Sequence, residues 1–354
     1  MVMRVLHLVG SAVSEFYGNL SRLYAQDCLE STANPALYEF YIAYITPDRQ
    51  WRFPSDLSRE AIDAASPVSV VEAVQALTAL KIDVMVPQMF CIPGMTYYRA
   101  LFDLLDIPYL GNTPDVMALT ANKAKTRSIV AAAGVNIPSG ELLRLGDRPS
   151  LAEPVRMTIE PPAVIKPVNA DNSLGVALVR NRDEYEPALK TAFTYADEVL
   201  VETFIELGRE VRCGILVRDG ELVCLPLEEY RMDRDLQPIR RYDDKLGENQ
   251  NGDLYMVAKG STKSWIVDPA DPITARVWDA AKKCHIALGC RHYSLFDFRI
   301  DPNGQPWFLE AGLYCSFASK SVISMMAKAS SMPLDKLFSI ALNNSLRSTA
   351  VAIK

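Results

Sequence analysis

Two carboxylates stand inside apolar segments near the end of the sequence, Asp297 in Leu-Phe-Asp-Phe-Arg and Glu310 in Trp-Phe-Leu-Glu. Both segments are typical of strands, at 294–300 and 306–310, and the turn signal Asp-Pro-Asn-Gly between them makes them neighbours. A buried carboxylate must pair with a cation, bind a metal or take up a proton. Two carboxylates on adjacent strands suit a hard divalent cation such as Mg²⁺, and the alternative is that salt bridges hold both.

Lys166 closes the apolar segment Ala-Val-Ile-Lys-Pro, and a polar loop that contains Ser173 and Gly175 follows it. A lysine in this position can hold a phosphate as a point charge, while loop amides bind the other phosphate oxygens. The alternative is a lysine whose stem covers apolar surface and whose ammonium reaches water. The sequence has neither the Walker P-loop spacing nor a helix-opening Gly-x-Gly-x-x-Gly pattern.

Other catalytic arrangements find little support. His7, His285 and His292 lie outside any Gly-x-Ser-x-Gly or His-Glu-x-x-His pattern, which disfavours a hydrolase triad and a zinc protease. The seven cysteines include no Cys-x-x-Cys pair, so we expect reduced, buried thiols rather than a zinc ribbon or a redox site.

Composition restricts the class of protein further. The 354 residues are 49% hydrophobic and 23% charged, with a net charge of −6, which is typical of a globular protein of two or three domains. The acidic balance argues against broad nucleic-acid binding and against a basic membrane-binding surface. No apolar run approaches the roughly 20 residues of a membrane span, and the amino terminus lacks the pattern of a signal peptide. We therefore expect a cytoplasmic protein.

The first 111 residues alternate between short apolar strands and amphipathic helices. The predicted strands are 4–9, 40–45 and 83–89, and the predicted helices are 20–29, 70–80 with Ser69 as N-cap, and 97–105. This alternation predicts an α/β fold with a mostly parallel sheet covered by helices. Ligands of such sheets bind beyond the carboxyl ends of the strands, so the loop after Gly10 is a candidate binding loop.

The rest of the chain predicts two further lobes, 112–200 and 201–354. Their predicted elements are a helix at 115–134, strands at 163–167, 176–179, 199–202, 211–217 and 222–227, and a helix at 272–288. The stretch 228–264 contains few apolar residues, and a loop of that length is usually functional or disordered.

In this order the segments resemble the ATP-grasp superfamily, and within it the D-alanine–D-alanine ligases, over nearly the whole chain. Residues 107–112 with 118–123 resemble the domain junction that carries the first ATP lysine. Residues 164–167 resemble the segment of the second ATP lysine, and 172–175 resemble the serine-containing phosphate loop. The resemblance implies an ATP-grasp fold that follows the amino-terminal parallel-sheet domain of residues 1–111.

The resemblance also implies which residues hold the cofactors. Residues 201–205 match the adenine hinge, Glu210 matches the ribose ligand, and Lys245 in Tyr-Asp-Asp-Lys matches the loop that closes over ATP. The implied ATP ligands are Lys123, Lys166, Ser173, Glu202, Thr203, Phe204, Ile205, Glu210 and Lys245. Asp297 and Glu310 match the ligands of one or two Mg²⁺ ions.

In the resembled ligases ATP phosphorylates an acceptor oxygen, and an amine then displaces the phosphate through a tetrahedral intermediate. The lysines and Mg²⁺ stabilise the charge on the phosphoryl oxygens. The loop around Lys245 would exclude water that could hydrolyse the activated acceptor. On this basis the predicted catalytic residues are Ser173, Lys245 and Arg299. The implied partners are small-molecule substrates, and a second copy of the chain is an expectation because many of these ligases are homodimers.

Two positions depart from the resembled ligases. Those enzymes carry an arginine two residues before the metal aspartate, where it serves the oxyanion, and this position is Leu295 here. Their Glu-x-Asn metal motif ends in Gly312 here, which weakens a second metal site. The loss of the arginine indicates an acceptor other than an ordinary amino-acid carboxylate. Arg299 lies two residues after Asp297 on the same strand face, and it is predicted to substitute for the missing arginine.

The segments 6–12, 16–17, 20–28 and 50–54 resemble the ligases of cyanobacterial mycosporine-like amino acid synthesis. Those enzymes join serine or threonine to mycosporine-glycine and form a disubstituted imine such as shinorine or porphyra-334. The oxygen activated there belongs to a vinylogous carboxyl group, which is consistent with Leu295. The resemblance implies this reaction. A D-alanine–D-alanine or L-dipeptide ligase is one alternative, and a non-catalytic ATP-binding regulator is another.

Substrate residues are predicted at two places. Glu15 matches a glutamate that binds a substrate amino group, and the alternative is a carboxylate favoured by a helix amino terminus. Ser319, Lys320 and Ser321 match the substrate-carboxylate loop, with Lys320 as the partner of the carboxylate. The alternative for this loop is a polar helix cap at Ser321.

Overall fold

The amino-terminal sheet is built as the alternation of strands and helices predicts. In the computed structural model, which describes residues 2–147, 158–170, 173–240, 246–248, 254–256, 263–314 and 316–352, its strands run in the order β3-β2-β1-β4. They are β1 (Met3–Gly10), β2 (Tyr38–Ile45), β3 (Trp51–Arg52) and β4 (Val84–Pro87). β1 pairs in parallel with both β2 and β4. Gly10 ends β1 with φ +99°, and a Cβ there would lie 2.1 Å from the carbonyl oxygen of Ile45, so only glycine fits.

Serine side chains cap the amino termini of the first three helices of this domain. They are α1 (Glu15–Thr32), α2 (Arg59–Ala64), α3 (Val70–Leu80), α4 (Ile92–Met95) and α5 (Tyr97–Leu104). Ser69 forms a capping box with Glu72 at the start of α3, which confirms the predicted N-cap. α1 is longer than the predicted helix 20–29, because Ser14 caps it by accepting from the backbone N–H of Tyr17.

The prediction of one helix over 115–134 is wrong. The chain forms α6 (Pro114–Thr120) and α7 (Lys123–Ala132), with an extended Asn122 between them. The side chain of Asn122 accepts from the backbone N–H of Lys125 at 2.9 Å and so caps α7. The break places Lys123 in the first turn of α7, where its backbone N–H donates to the carbonyl oxygen of Val168 at 2.9 Å.

The central sheet is antiparallel, with the order β5-β8-β6-β7. Its strands are β5 (Gly140–Arg144), β6 (Ala163–Pro167), β7 (Ala177–Val179) and β8 (Glu198–Thr203); the short helices Leu145–Asp147 and Arg182–Glu184 and the helix α8 (Tyr185–Ala192) accompany them. β5 and α8 were not predicted. This sheet and α8 bury an apolar cluster of their own, which includes Ile165, Leu189 and Val201.

The carboxyl-terminal sheet has the order β14-β11-β9-β15-β16, with β10 paired to β9. The elements of this region are β9 (Arg209–Arg218), β10 (Glu221–Cys224), β11 (Glu228–Tyr230), β12 (Leu246–Glu248), β13 (Leu254–Met256), β14 (Ser264–Ile266), α9 (Pro272–Ala287), β15 (Tyr293–Ile300), β16 (Pro306–Ala311), α10 (Val322–Ala329) and α11 (Leu334–Ala352). The stretch 228–264 is therefore not a loop throughout. Its two ends are the paired strands β11 and β14, and β12 pairs with β13 inside it.

Two sets of helices join the sheets. α6 and α7 bury Val116, Met117 and Val130 in the core of the carboxyl-terminal sheet, whereas α11 buries Leu337 and Phe338 against both that sheet and β1. The division of the chain at residues 111 and 200 stays a prediction, and β8 crosses the second of these boundaries. No helix in the described ranges is long and apolar enough to cross a membrane.

His7 lies fully buried in β1, with the ring centroids of Phe40 and Phe338 at 4.8 and 6.5 Å. Neither of its ring nitrogens finds a hydrogen-bond partner among the described residues. Burial lowers the pKa of His7 from 6.5 to about 3. Below pH 6.5 the unfolded chain therefore binds a proton at His7, whereas the folded protein binds it only near pH 3. The free energy of unfolding consequently decreases as the pH falls from 6.5 to about 3.

A His7→Leu variant tests this assignment. When the pH is lowered from 7.5 to 5, protonation of His7 in the unfolded chain decreases the free energy of unfolding of the wild type by about 2 kcal/mol. This decrease should be absent from the variant. Urea unfolding at both pH values measures it. Phe40→Leu is the control, because it alters the same cluster without a titrating group and should shift stability equally at both pH values. An unchanged pH dependence in His7→Leu would contradict the assignment.

Candidate active site

One cleft between the central and the carboxyl-terminal sheets brings together most of the predicted cofactor residues. Those that line it are Lys123, Lys166, Ser173, Glu202, Thr203, Phe204, Ile205, Glu210, Asp297, Arg299 and Glu310. Lys245 lies outside the described residues. The cleft therefore contains cationic, carboxylate and apolar groups from five separate parts of the chain.

Both predicted ATP lysines lie in this cleft next to carboxylates. Lys166, at the end of β6, is 7% exposed, and its Nζ lies 2.5 Å from Oε2 of Glu202. The other carboxylate oxygen of Glu202 is 3.1 Å from Nε of Arg127. Lys123 donates to the carbonyl oxygen of Ala170 at 2.6 Å and lies 3.8 Å from Glu310. Two ammonium groups in one cleft suit an anionic ligand such as a polyphosphate.

The segment after β8 forms one wall of the cleft. The backbone N–H groups of Thr203 and Phe204 donate to Ser139 and Pro162, which fix the segment. Ser173 begins the opposite turn with φ +61°, and its carbonyl oxygen accepts from Val176 at 3.3 Å. The cleft is thus lined by the apolar side chains of the segment 203–205 and by the tight turn at Ser173.

The carboxylates Asp297 and Glu310 are directly opposite each other on β15 and β16, as predicted. Asp297 is 5% exposed and receives a two-pronged ion pair from Arg212, with Nη2 to Oδ2 at 2.5 Å. Nη1 of Arg240 lies 3.8 Å from the same oxygen. Burial alone would lower the pKa of Arg212, but the charge of Asp297, its hydrogen bond to Arg212 and the nearby Tyr230 and Glu228 together raise that pKa. Salt bridges therefore hold this carboxylate. This arrangement is the alternative to metal binding that the sequence left open.

The same carboxylates fit Mg²⁺ in their chemistry and placement, because two oxygen donors on adjacent strands face the cleft that holds the lysines. The part of the chain that the structure describes holds no group of three or more histidine, cysteine, aspartate or glutamate side chains placed to bind a metal. Asp297 and Glu310 would then hold the ion together with phosphate oxygens and water, as Mg²⁺ usually requires.

The profile of the family described as "D-ala D-ala ligase C-terminus" matches residues 129–343. The chain belongs to the D-alanine–D-alanine ligase family. A D-alanine–D-alanine ligase of Citrifermentans bemidjiense is 29% identical over 241 residues, which cover 68% of this chain and 70% of the relative. The enzyme of that name from Geobacter sulfurreducens is 30% identical over 231 residues, or 65% of this chain and 66% of the relative.

Solved structures share the fold of this family member. The VanG D-Ala:D-Ser ligase from Enterococcus faecalis superposes with a TM-score of 0.79 at 22% identity, over 98% of this chain and all of that one. The D-alanine–D-alanine ligase from Coxiella burnetii gives 0.77 at 18% identity, over 99% and 97%. The predicted α/β ATP-grasp fold is confirmed, and the protein is an ATP-dependent, ADP-forming carbon–nitrogen ligase.

The two departures from the D-alanine–D-alanine ligases have structural contexts. Leu295 is 7% exposed and packs in an apolar cluster with Leu225 and Met326. Gly312 donates its backbone N–H to the carbonyl oxygen of Leu295 at 2.9 Å, and a Cβ on Gly312 would meet no atom within 4 Å. A side chain would therefore fit at position 312, so no steric requirement explains the glycine there.

The structure does not gather the predicted substrate residues into the cleft. Glu15 is the first residue of α1, as the helix-terminus alternative requires. Ser319 donates from its backbone N–H and its hydroxyl to Asp27, at 2.5 and 2.9 Å, and Lys320 is exposed. Ser321 stands at the N-cap of α10, although its hydroxyl donates to the carbonyl oxygen of Ser316. Their substrate roles stay predictions.

Three arginines at the site were not identified from the sequence. They are Arg127, which contacts Glu202, and Arg212 and Arg240, which contact Asp297. The alternation of β9 offered one signal, because it places Arg212 on the same strand face as Glu210. The ion pair between Arg212 and Asp297 joins residues 85 positions apart, so spacing in the sequence could not reveal it.

Arg299 makes contacts other than those of the oxyanion role predicted for it. Its Nη2 lies 2.7 Å from Glu210 and donates to Pro238 at 2.8 Å, and Nη1 donates to the carbonyl oxygen of Ile205 at 3.2 Å. Its guanidinium also stacks on Phe204, 5.3 Å from the ring centroid. These contacts hold Arg299 against the cleft residues Glu210, Ile205 and Phe204, and its oxyanion role stays a prediction.

Arg299→Leu is expected to destabilise the protein by about 3–5 kcal/mol, because Glu210 stays buried without its cation. Urea unfolding measures this loss. Adding Glu210→Leu to the same chain should restore most of it, since the unpaired charge is then removed. A single variant as stable as the wild type would show that Glu210 finds another partner.

Proposed function

We propose that the protein phosphorylates the carboxylate of one amino acid with ATP and joins it to the amino group of a second, which is a reaction of the kind that the name of its relatives, D-alanine–D-alanine ligase, indicates. The observation that carries the proposal is the convergence of Lys123 and Lys166 with Asp297 and Glu310 in one cleft of a D-alanine–D-alanine ligase fold. The named function of the relatives supports amino acids as the substrates.

In this reaction an acceptor oxygen forms a bond to the γ-phosphorus of ATP as the bond to ADP breaks. The nitrogen of the second substrate then attacks the acyl carbon, phosphate leaves, and the nitrogen loses a proton. Lys123 and Lys166 bind phosphate oxygens and stabilise the charge that moves onto them. Asp297 and Glu310 would hold Mg²⁺, which supplies further positive charge at the transferred phosphoryl group. Phe204 and Ile205 would hold the base.

A second candidate is the ligation of serine or threonine to mycosporine-glycine. One observation favours it: Leu295 is buried among apolar side chains, so position 295 offers no cation to an ordinary carboxylate. The amino-terminal segments resemble such ligases as well. The comparisons with curated proteins favour the amino-acid reaction.

The experiment measures ADP release by the purified protein with ATP and Mg²⁺ in two mixtures. One contains D- and L-amino acids alone, and the other contains mycosporine-glycine in addition. Turnover with amino acids alone supports the first proposal and overturns the second. Turnover only in the second mixture, with a new ultraviolet-absorbing imine, does the reverse. Bound ATP with no ADP release in either mixture would overturn both substrate assignments.

A further inference from the structure

The face of the carboxyl-terminal sheet toward the cleft carries a row of opposed residues on β9 and β15. Glu210 faces Arg299 and Arg212 faces Asp297 in the strand register. The next pair in the row is Gly214 and Leu295, which is apolar. Arg212 is thus the diagonal neighbour of position 295, so its long side chain can reach the space beside a side chain at that position. The row changes from charged to apolar at this point.

The charge of Arg212 also acts on the amino-terminal domain. Its charge acts on the Tyr24 hydroxyl of α1, whose pKa is raised by burial and lowered in part by Arg212. The ring of Tyr24 contacts that of Phe90 at 5.4 Å, and Phe90 contacts Tyr314 at 6.2 Å. The charge of Arg212 therefore acts both on Asp297 in the cleft and on a side chain of α1.

The ion pair of Arg212 conflicts with the use of Asp297 as a metal ligand. Both oxygens of Asp297 accept from Arg212, so a divalent cation and this guanidinium compete for the same negative charge. The guanidinium of Arg240 lies 3.7 Å from the ring centroid of Tyr230, and that of Arg212 lies 5.7 Å from it. The Tyr230 ring thus already attracts both guanidinium groups, and this attraction of Arg212 does not depend on Asp297.

We propose that Arg212 is a counter-ion of Asp297 in the free protein and leaves it when a divalent cation binds there, to hold the anionic oxygen of the acceptor. The acceptor-binding step rests on the proposed ligase function, whereas the release from Asp297 does not. Arg212 then supplies, from β9, the positive charge that Leu295 cannot supply from β15. The acceptor class is a small molecule with a carboxylate or a vinylogous carboxylate at the reacting end.

The first test measures metal binding without turnover. Isothermal titration of Mg²⁺ into protein saturated with ADP gives the metal dissociation constant of the wild type, Arg212→Leu and Arg212→Lys. Removing the competing guanidinium should tighten Mg²⁺ binding by about tenfold in Arg212→Leu. Arg212→Lys keeps the charge without the two-pronged contact, so its Mg²⁺ dissociation constant should lie between those of the wild type and Arg212→Leu. Arg240 stays beside Asp297 in both variants, which preserves a partner for the buried carboxylate.

Arg209→Leu is the matched control. Arg209 lies on the same strand and forms a two-pronged ion pair with Glu229, at 3.0 and 2.5 Å, and a contact with Asp271 at 2.7 Å. Its substitution therefore removes an ion pair of the same kind that does not involve Asp297. The Mg²⁺ dissociation constant should stay that of the wild type. An unchanged constant in Arg212→Leu would overturn the release of Arg212 by the metal.

The second test uses whichever acceptor supports ADP release by the wild type. Arg212→Leu should raise the acceptor KM at least about tenfold while the ATP KM stays within twofold, and guanidinium in the buffer should restore part of the loss. An unchanged acceptor KM would overturn the acceptor role. If the wild type turns over no acceptor, the proposed function and the acceptor role fail together, and the Mg²⁺ titration alone decides the release step.

Discussion

An Asp297→Asn variant is expected to bind ADP within about threefold of the wild type in the absence of Mg²⁺ and to lose at least about 10²–10³-fold in kcat. The amide keeps the shape of the side chain but cannot carry the charge that holds a divalent cation. The carboxylate is 5% exposed and lies opposite Glu310, the other residue predicted to bind the metal. Fluorescence titration of ADP and steady-state ADP release measure the two quantities.

Asp301→Asn is the control for this variant. Asp301 follows β15 directly and accepts from the backbone N–H groups of Asn303 and Gln305, both at 2.9 Å, in the turn before β16. Its substitution changes the same strand pair outside the cleft and should leave kcat near the wild-type value. Turnover of Asp297→Asn within tenfold of the wild type would remove Asp297 from the metal site.

Lys166→Met is expected to weaken ATP and ADP binding by about 10- to 100-fold, because one buried charge-assisted contact to a phosphate is lost. Lys166 is 7% exposed at the end of β6, and its ammonium lies 2.5 Å from Glu202. Arg127 still contacts Glu202 in the variant, so the buried carboxylate keeps a cation and the central sheet should fold. Nucleotide dissociation constants measured by calorimetry test the prediction.

Lys190→Met serves as the comparison, since Lys190 lies exposed in the last turn of α8, on the same lobe but outside the cleft. It should bind nucleotides like the wild type. The two lysine variants carry the same change in net charge, so a difference between them reports the position and not the long-range field. Equal affinities would mean that Lys166 only neutralises Glu202.

The sequence predicted the elements whose signals are local. β1, β2 and α3 follow from apolar runs and from the capping box at Ser69 and Glu72. The break between α6 and α7 was missed, because its signal is one asparagine in an otherwise helical pattern. β5 was missed as well, since it is an edge strand with half-buried side chains and no clear alternation.

For the site, the resemblance to the D-alanine–D-alanine ligases identified Lys123, whereas Lys166, Asp297 and Glu310 stood out as charged residues in apolar strands, and the cleft contains all of them. What could not be predicted is which buried charges pair with which. The sequence did not indicate Arg212 as a residue of the site, because its partner Asp297 lies on another strand, 85 residues away. Such pairings depend on strand register across the sheet, which an isolated sequence does not specify.

The separate apolar cluster of the central sheet has a consequence for how the protein unfolds. Because β6, β8 and α8 bury their side chains against one another, this lobe has an apolar core of its own. The lobe then constitutes a cooperative unit that can melt before the rest of the chain, and calorimetry without ligand should resolve two transitions. A nucleotide in the cleft contacts both units, so its binding energy is shared between them and draws the two transitions into one.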